Sequence, residues 1–191
     1  MIDANEKGWF RIPGIRPDGD RTLEEQMIGL APALEEARGK TVLDLGCAEG
    51  LIAREFARAG ASRVVGIEML ASHLEVARAV CKDVPQVRFI CAHLGDFIAA
   101  RESIRTFDIV LALGIIHKLR DPEVPLRFAA QSAASLMLFR APAKATNGNV
   151  ASKHTGITCN VPRIMAAEGF AEERLIPGVR GEAVQYWRRT A

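Results

Sequence analysis

The sequence predicts an α/β fold with three layers, built on a doubly wound and mostly parallel sheet. From residue 41 onward, short apolar runs alternate with stretches of helical periodicity, which favours parallel strands joined by right-handed crossovers. The runs are rich in Val, Ile, Leu and Phe without polar alternation, as in strands buried on both faces. The predicted parallel strands are Thr41–Leu45, Val64–Ile67, Val87–Cys91, Phe107–Leu113 and Ser135–Arg140.

Helices are predicted between these strands and ahead of the first one. Thr22 with Glu25 three residues later forms a capping box, and the apolar spacing that follows predicts one helix ending at Gly39. Residues 1–21 are expected to be an irregular lead-in. The predicted crossover helices are Leu51–Ala59, Ser72–Cys81, Leu94–Arg101 and Pro122–Gln131.

The last fifty residues have a different pattern. Residues 141–160 are rich in Ala, Asn, Gly, Ser and Thr, and are predicted to form a long loop, either a lid over the site or a surface loop. A helix is predicted at Val161–Glu168, then strands at Phe170–Ile176 and Ala183–Arg189. Their short connection requires these two strands to be antiparallel neighbours.

Composition limits the class of protein. The 191 residues, 49% of them hydrophobic, suit one domain at 1–191, divided into a lead-in with its helix (1–39), a core (40–140) and an end region (141–191). Lys and Arg number 25 against 23 acids, a balance without the electrostatic signature of a nucleic-acid or membrane surface. No apolar run is long enough to span a bilayer, and the N-terminus lacks the apolar core of a signal peptide.

The four cysteines show neither CxxC nor zinc-finger spacing. Free thiols in a cytoplasmic protein, with no metal site, are therefore expected. Composition is silent on the oligomeric state.

The segment Val42–Gly50 reads VLDLGCAEG, a buried strand that enters a tight glycine turn before a helix. Ligands of open α/β sheets bind at this end of the strands. A dinucleotide fingerprint would place a third glycine where Leu51 stands, and the carboxylate of Asp44 would repel a pyrophosphate. Asp44 instead suits a ligand with an ammonium group and a sulfonium, and S-adenosylmethionine has both.

A second acid follows the next strand. Glu68 lies about 20 residues beyond the glycine turn, a distance at which an acid reaches a ribose hydroxyl. Its two oxygens can accept hydrogen bonds from both ribose hydroxyls, and Met69 can pack on the adenine. Taken alone, Asp44 could be a turn residue and Glu68 a solvated strand end.

Three segments together resemble class I S-adenosylmethionine-dependent methyltransferases. VLDLGCAEG is similar to their first motif, GIEML to their second-strand motif, and FDIVLALGIIHKLRDP at 107–122 to their fourth-strand motif. The resemblance covers residues 40–140 in order and spacing. It implies a sheet of about seven strands with an antiparallel last strand, and S-adenosylmethionine as cofactor with S-adenosylhomocysteine as product.

The resemblance also implies roles for individual residues. The cofactor's methionine part would be held by Asp44 and the turn, and its ribose by Glu68. Residues after the third strand would flank the adenine, although no acid occurs there before Asp96, which could equally cap the next helix. Ala48 departs from the family pattern by replacing the middle glycine. The implied cofactor-binding residues are Asp44, Gly46, Cys47, Ala48, Gly50, Glu68, Met69, His93, Leu94, Leu113 and Gly114.

Methyl transfer from a sulfonium is an in-line displacement, so the protein mainly aligns the reactants. His117, just after the fourth strand, is the predicted catalytic residue, as a base or as a substrate contact. His154 is a weaker candidate. Lys118 and Arg120 are interpreted as solvated helix-start residues.

The role of the N-terminal aromatic residues stays open. Trp9 and Phe10, together with Arg16, either cover the cofactor or pack on the core. Cys47 is interpreted as a small buried filler.

Three alternatives remain at this stage. A nicotinamide oxidoreductase is disfavoured by Leu51 and Asp44. A cofactor-binding protein without activity is compatible with the motifs. GIIHKLRDP is similar to a stretch in methyltransferases of small metabolites and of modified tRNA wobble uridines; the near-neutral charge favours a small molecule and leaves nucleic acid open. No Asn/Asp-Pro-Pro-Tyr/Phe motif follows the fourth strand, which disfavours methylation of a base or amide nitrogen.

Overall fold

The computed structural model describes residues 8–100, 106–143 and 148–190. A seven-stranded sheet has the order β3-β2-β1-β4-β5-β9-β8, and a separate pair joins β6 to β7. The strands are β1 Thr41–Leu45, β2 Arg63–Glu68, β3 Val87–Cys91, β4 Phe107–Leu113, β5 Ala133–Ala141, β6 Asn149–Ala151, β7 Thr158–Asn160, β8 Phe170–Pro177 and β9 Ala183–Arg189.

Helices cover both faces of the sheet. A 3₁₀ turn, Ile116–Lys118, follows β4. The α-helices are α1 Leu23–Met27, α2 Ala31–Glu36, α3 Leu51–Arg58, α4 Ala71–Val80, α5 Leu94–Ala99, α6 Glu123–Ser132 and α7 Val161–Ala167.

Strand pairing confirms the predicted sheet. β1 pairs in parallel with β2 and β4, and β4 with β5. β9 runs antiparallel to both β5 and β8, so the antiparallel strand lies inside the sheet and β8 forms its edge. The carboxyl ends of β1, β2 and β4 therefore meet at one edge, where ligands of doubly wound sheets bind.

Alternate residues of the central strands pack in two separate hydrophobic cores, one on each face of the sheet. This confirms the predicted three-layer arrangement of helices, sheet and helices. Val42 and Ile109 pack in the core on one face of the sheet, while Leu43 and Val110 pack in the core on the other. All four are at most 2% exposed. Strands buried on both faces are continuously apolar, which is why the short runs predicted them.

The single helix predicted before β1 is wrong, because the chain breaks it into α1 and α2 at Gly29, whose φ is 83°. The guanidinium of Arg140, at the end of β5, donates to the carbonyl oxygens of Gln26 at 2.6 Å and Ile28 at 3.5 Å. It thereby satisfies carbonyl groups that a continuing helix would have used. The predicted capping box at Thr22 is confirmed.

The long loop predicted at 141–160 is also wrong in part, because β6 and β7 form a hairpin within it. Strands of three residues carry too little periodicity to stand out in a polar sequence. Arg101, at the end of a predicted helix, lies outside the described residues.

Candidate active site

A cavity of about 650 Å³ opens at the carboxyl ends of β1, β2 and β4. We call its wall from the ends of β1 and β2 the motif side, and the wall formed by Lys118, Arg120 and His154 the hairpin side. Most of the predicted cofactor residues line this cavity: Gly46, Ala48, Glu68, Met69, His93, Leu94, Leu113 and Gly114.

Four predicted site residues do not line it. Asp44, Cys47 and Gly50 are buried in or beside the motif turn, and His117 is 9% exposed behind the hairpin side. Burial raises the pKa of the Cys47 thiol, in agreement with its interpretation as a filler.

The motif turn approaches the cavity closely because its backbone is left-handed at three positions. φ is 74° at Gly46, 46° at Ala48 and 71° at Gly50. A Cβ on Gly46 would lie 2.9 Å from the Ile115 side chain, and one on Gly50 would lie 2.8 Å from the Phe89 ring. Ala48 accepts its conformation with a small side chain, so replacement of the family's middle glycine preserves the turn.

Asp44 is a buried carboxyl group with an unused acceptor. It is 3% exposed, and its Oδ2 has no hydrogen-bond partner among the described residues. Burial, and then repulsion from Glu68, raises the pKa of Asp44 to about 7, while Arg140 opposes the shift. Buried carboxylates normally have partners, so this atom is suited to a cationic ligand.

Glu68 is fixed by backbone amides. Its Oε2 accepts from the Ala48 N–H at 3.2 Å, and its Oε1 accepts from those of Met69 at 2.8 Å and Leu70 at 3.0 Å. A carboxylate has about four acceptor positions, so about one remains for a ligand hydroxyl. To accept hydrogen bonds from both ribose hydroxyls, Glu68 would have to lose one of its hydrogen bonds from these backbone amides.

Glu49 is a functional candidate that sequence reasoning missed. It is fully buried, and it accepts from the N–H of Trp9 at 2.9 Å and of Phe10 at 3.1 Å. These bonds hold the indole of Trp9 against the cavity. The available signal was an acid within the motif, next to Gly50.

His73 was missed as well. It lies on α4, lines the cavity and is 7% exposed, with its Nε2 3.6 Å from Glu49 Oε1. Neither ring nitrogen has a hydrogen-bond partner within residues 8–100, 106–143 and 148–190. Nothing in the sequence around it distinguishes it from an ordinary helical residue.

The interpretation of Lys118 as solvated is wrong. The 3₁₀ turn directs its ammonium group over the Trp9 ring, 3.9 Å from the centroid. Burial, and then Lys153, lowers the pKa of Lys118. Arg120 is exposed at the cavity mouth.

His117 lies beside Lys118 but is neutral. Burial, followed by repulsion from Lys153 and Lys118, lowers its pKa to about 4. Its backbone carbonyl accepts from the Lys153 N–H at 2.8 Å. The prediction that its imidazole acts on the substrate stays a prediction.

The hairpin packs against the segment that follows β4. The Thr155 hydroxyl donates to the Arg120 carbonyl at 2.6 Å, and the Lys153 amide bonds to His117. His154 thereby lines the cavity. This part of the predicted loop therefore contributes to the cavity wall, and its role as a lid stays a prediction.

Two negative findings concern the described part of the chain. No group of three or more His, Cys, Asp or Glu side chains there could hold a metal ion. None of its helices combines the length and the apolar character needed to cross a membrane.

Comparisons with known proteins agree with this geometry. Residues 42–136 match a family model described as a methyltransferase domain. A ubiquinone biosynthesis O-methyltransferase from Neisseria meningitidis serogroup C is 35% identical over 97 residues, covering 50% of this chain and 40% of that protein. A tRNA U34 carboxymethyltransferase from Pseudoalteromonas translucida is 31% identical over 130 residues, covering 68% of this chain and 39% of that protein. The chain thus spans about two fifths of the length of these relatives.

A crystal structure of magnesium protoporphyrin IX methyltransferase from Synechocystis PCC 6803 with bound S-adenosylmethionine shares the fold. Its TM-score is 0.63 at 20% identity, covering 83% of this chain and 74% of that one. Strand order, the position of β9 and the cavity define a Rossmann-like methyltransferase fold. The chain belongs to the class I S-adenosylmethionine-dependent methyltransferase family.

Proposed function

We propose that this protein transfers a methyl group from S-adenosylmethionine to a small-molecule acceptor. The observation that carries the proposal is the buried, unpaired Oδ2 of Asp44 beside the motif turn, one strand away from Glu68 on the cavity wall. A cofactor ammonium group would supply the missing partner of Asp44. A ribose hydroxyl would take the remaining acceptor position of Glu68.

The other motif residues fit the same ligand by position. Gly46, Cys47, Ala48 and Gly50 form the turn that would hold the methionine part. Leu113 and Gly114 would back that part from β4, while Met69, His93 and Leu94 would flank the adenine. To these we add Trp9, since Glu49 accepts from its backbone N–H and Trp9 lines the cavity.

When bound, the cofactor supplies an electrophilic methyl group on a positively charged sulfur. The protein's own task is to align the acceptor with that group and to exclude water. Trp9 and Leu113 contribute apolar surface to the cavity wall. His117 does not line the cavity, but it directly precedes Lys118, which does. We keep it as the proposed catalytic residue: neutral at pH 7, it would accept a proton from the acceptor or hold the acceptor in position.

Calorimetric titration with S-adenosylhomocysteine tests the proposal. We expect the wild-type chain to bind it, Asp44→Asn to bind about 10- to 100-fold more weakly, as for a lost charged hydrogen bond, and Asp83→Asn to bind normally. Asp83 is an exposed control that pairs with Arg58 on the surface. Equal affinity for NADH, or no loss in Asp44→Asn, would refute the assignment.

A second candidate acceptor is tRNA, because the tRNA-modifying relative aligns with 68% of this chain. Labelled methyl transfer to total tRNA, compared with a pool of small metabolites, separates the two. Binding of S-adenosylhomocysteine with no transfer to either would instead support a cofactor-binding protein without activity.

Two further parts of the proposal concern the protein as a whole. We infer that residues 1–191 act as one methyltransferase domain. We also infer a cytoplasmic location, because all four cysteines are free thiols.

A further inference from the structure

Basic side chains gather on the hairpin side of the cavity. Lys118, Arg120 and His154 line it, and Lys153 lies beside them, because its backbone N–H donates to the His117 carbonyl at 2.8 Å. The sequence brings them together from two segments, since hydrogen bonds of Lys153 and Thr155 fasten the hairpin to the turn after β4.

In the described part of the chain Lys118, Arg120 and Lys153 form no salt bridge, whereas Arg188 pairs with both Glu36 and Glu173. Burial and Lys153 lower the pKa of Lys118, and they outweigh Glu68 and Glu182, which favour its charged form from a distance. Lys118 is half-buried, and lysines removed from water are normally paired. Its contact is the Trp9 ring, which fixes its position without neutralising its charge.

The motif side supplies only part of the missing negative charge, because the effect of Glu68 on the pKa of Lys118 is smaller than those of burial and Lys153. Glu68 is the one acid that lines the cavity among the described residues, and backbone amides already take most of its acceptor positions. Asp44 is buried and does not line the cavity, and in the proposed function its carboxylate pairs with the cofactor's ammonium group. An anionic group that enters from the hairpin side would therefore meet positive charge that the protein compensates only in part.

We propose that the methyl acceptor is a small molecule with a carboxylate or phosphate group, bound by the lining residues Lys118 and Arg120 with Lys153 next to them. This inference rests on the proposed function, because it assigns the hairpin side to the acceptor. The anionic group fixes the orientation of the acceptor, and its nucleophilic atom then points toward the motif side. Ammonium and guanidinium groups bind such anions by charge-assisted hydrogen bonds.

The test uses probes that share one ring and differ in charge: 4-hydroxybenzoate, 4-hydroxyphenyl phosphate and neutral 4-hydroxybenzamide. Each is titrated into the protein saturated with S-adenosylhomocysteine. We expect one of the anions to bind at least about tenfold more tightly than the amide, as one charged hydrogen bond provides. The two anions distinguish a carboxylate from a phosphate.

The decisive variant is the double substitution Lys118→Gln and Lys153→Gln, with Lys82→Gln as the control. Lys82 is exposed and follows α4, at the opposite edge of the sheet. The double variant should lose the preference for the anion and keep its affinity for S-adenosylhomocysteine, which also shows that it is folded. Lys82→Gln should retain both.

Several results would overturn the inference. One is equal binding of all three probes; another is the same loss in Lys82→Gln. Weaker S-adenosylhomocysteine binding by the double variant would assign the cations to the cofactor's own carboxylate. Binding of a tRNA anticodon stem-loop with no small anion bound would assign them to RNA. Failure of the wild-type chain to bind S-adenosylhomocysteine would instead remove the proposed function.

Discussion

The motif side and the hairpin side of the cavity are built in different ways. The motif side comes from two strand ends about 20 residues apart, and backbone amides hold its key carboxylate, Glu68. The hairpin side depends on Trp9, Lys118 and Lys153, which are far apart in sequence and meet only through tertiary contacts. The site for a cofactor that a whole family shares needs a fixed local geometry. The site for the acceptor can differ between members, because loops form it.

The largest expected effect comes from a substitution that disrupts only the motif side. Gly46→Val would force a branched residue into a φ of 74°, with its Cβ 2.9 Å from Ile115. We expect S-adenosylhomocysteine binding to disappear and the free energy of unfolding to fall by about 2 kcal/mol or more. Calorimetry and urea unfolding measure the two effects, with Gly14→Ala as the control, because Gly14 has a similar φ and open space around it. Full binding by Gly46→Val would contradict the described turn.

The next prediction uses the titration of Asp44. Because its pKa lies near 7 in the free protein, only the ionised fraction is ready for an ammonium group. Affinity for S-adenosylhomocysteine should therefore fall about tenfold from pH 8 to pH 6. Asp44→Asn should bind weakly and lose this pH dependence. A flat wild-type profile would show that Asp44 is already ionised before binding.

Glu49 connects the two sides, so its replacement sharpens the comparison. Glu49→Gln removes the charge that holds the Trp9 and Phe10 amides. We expect about tenfold weaker binding of S-adenosylhomocysteine, matched by Trp9→Ala. Glu75→Gln on the exposed face of α4 is the control. If Trp9→Ala binds normally, the indole does not cover the cofactor.

The smallest expected effect concerns His117 and stability rather than binding. Its folded-state pKa, about 4, is below the ordinary 6.5, so the unfolded chain takes up the proton first as pH falls. Its contribution to stability is present above pH 6.5 and is lost toward pH 4. Between pH 7 and pH 5, wild type should lose about 1 kcal/mol more than His117→Asn in urea unfolding. Equal losses would show that folding does not lower the pKa of His117.

The comparison also explains what the sequence could predict. Continuous apolar runs predicted the sheet, and the motif predicted most of the cavity's motif side, because both depend on local patterns. The break between α1 and α2 depends on Arg140, more than 110 residues away in sequence, and no local pattern shows it. The interpretation of Lys118 as solvated fails for the same reason: its burial depends on Trp9 and the hairpin, which are distant in sequence.

The matched family segment spans residues 42–136, yet one residue inside it and two residues beyond it bind the chain that precedes it. Glu49 holds the amides of residues 9 and 10, Arg140 holds the end of α1, and the hydroxyl of Tyr186 donates to the Gly29 carbonyl at 2.6 Å. A fragment that began at β1 would leave the buried carboxylate of Glu49 and the buried guanidinium of Arg140 without these hydrogen-bond partners. We therefore expect the stable folding unit to extend upstream of the recognisable motif, to Trp9.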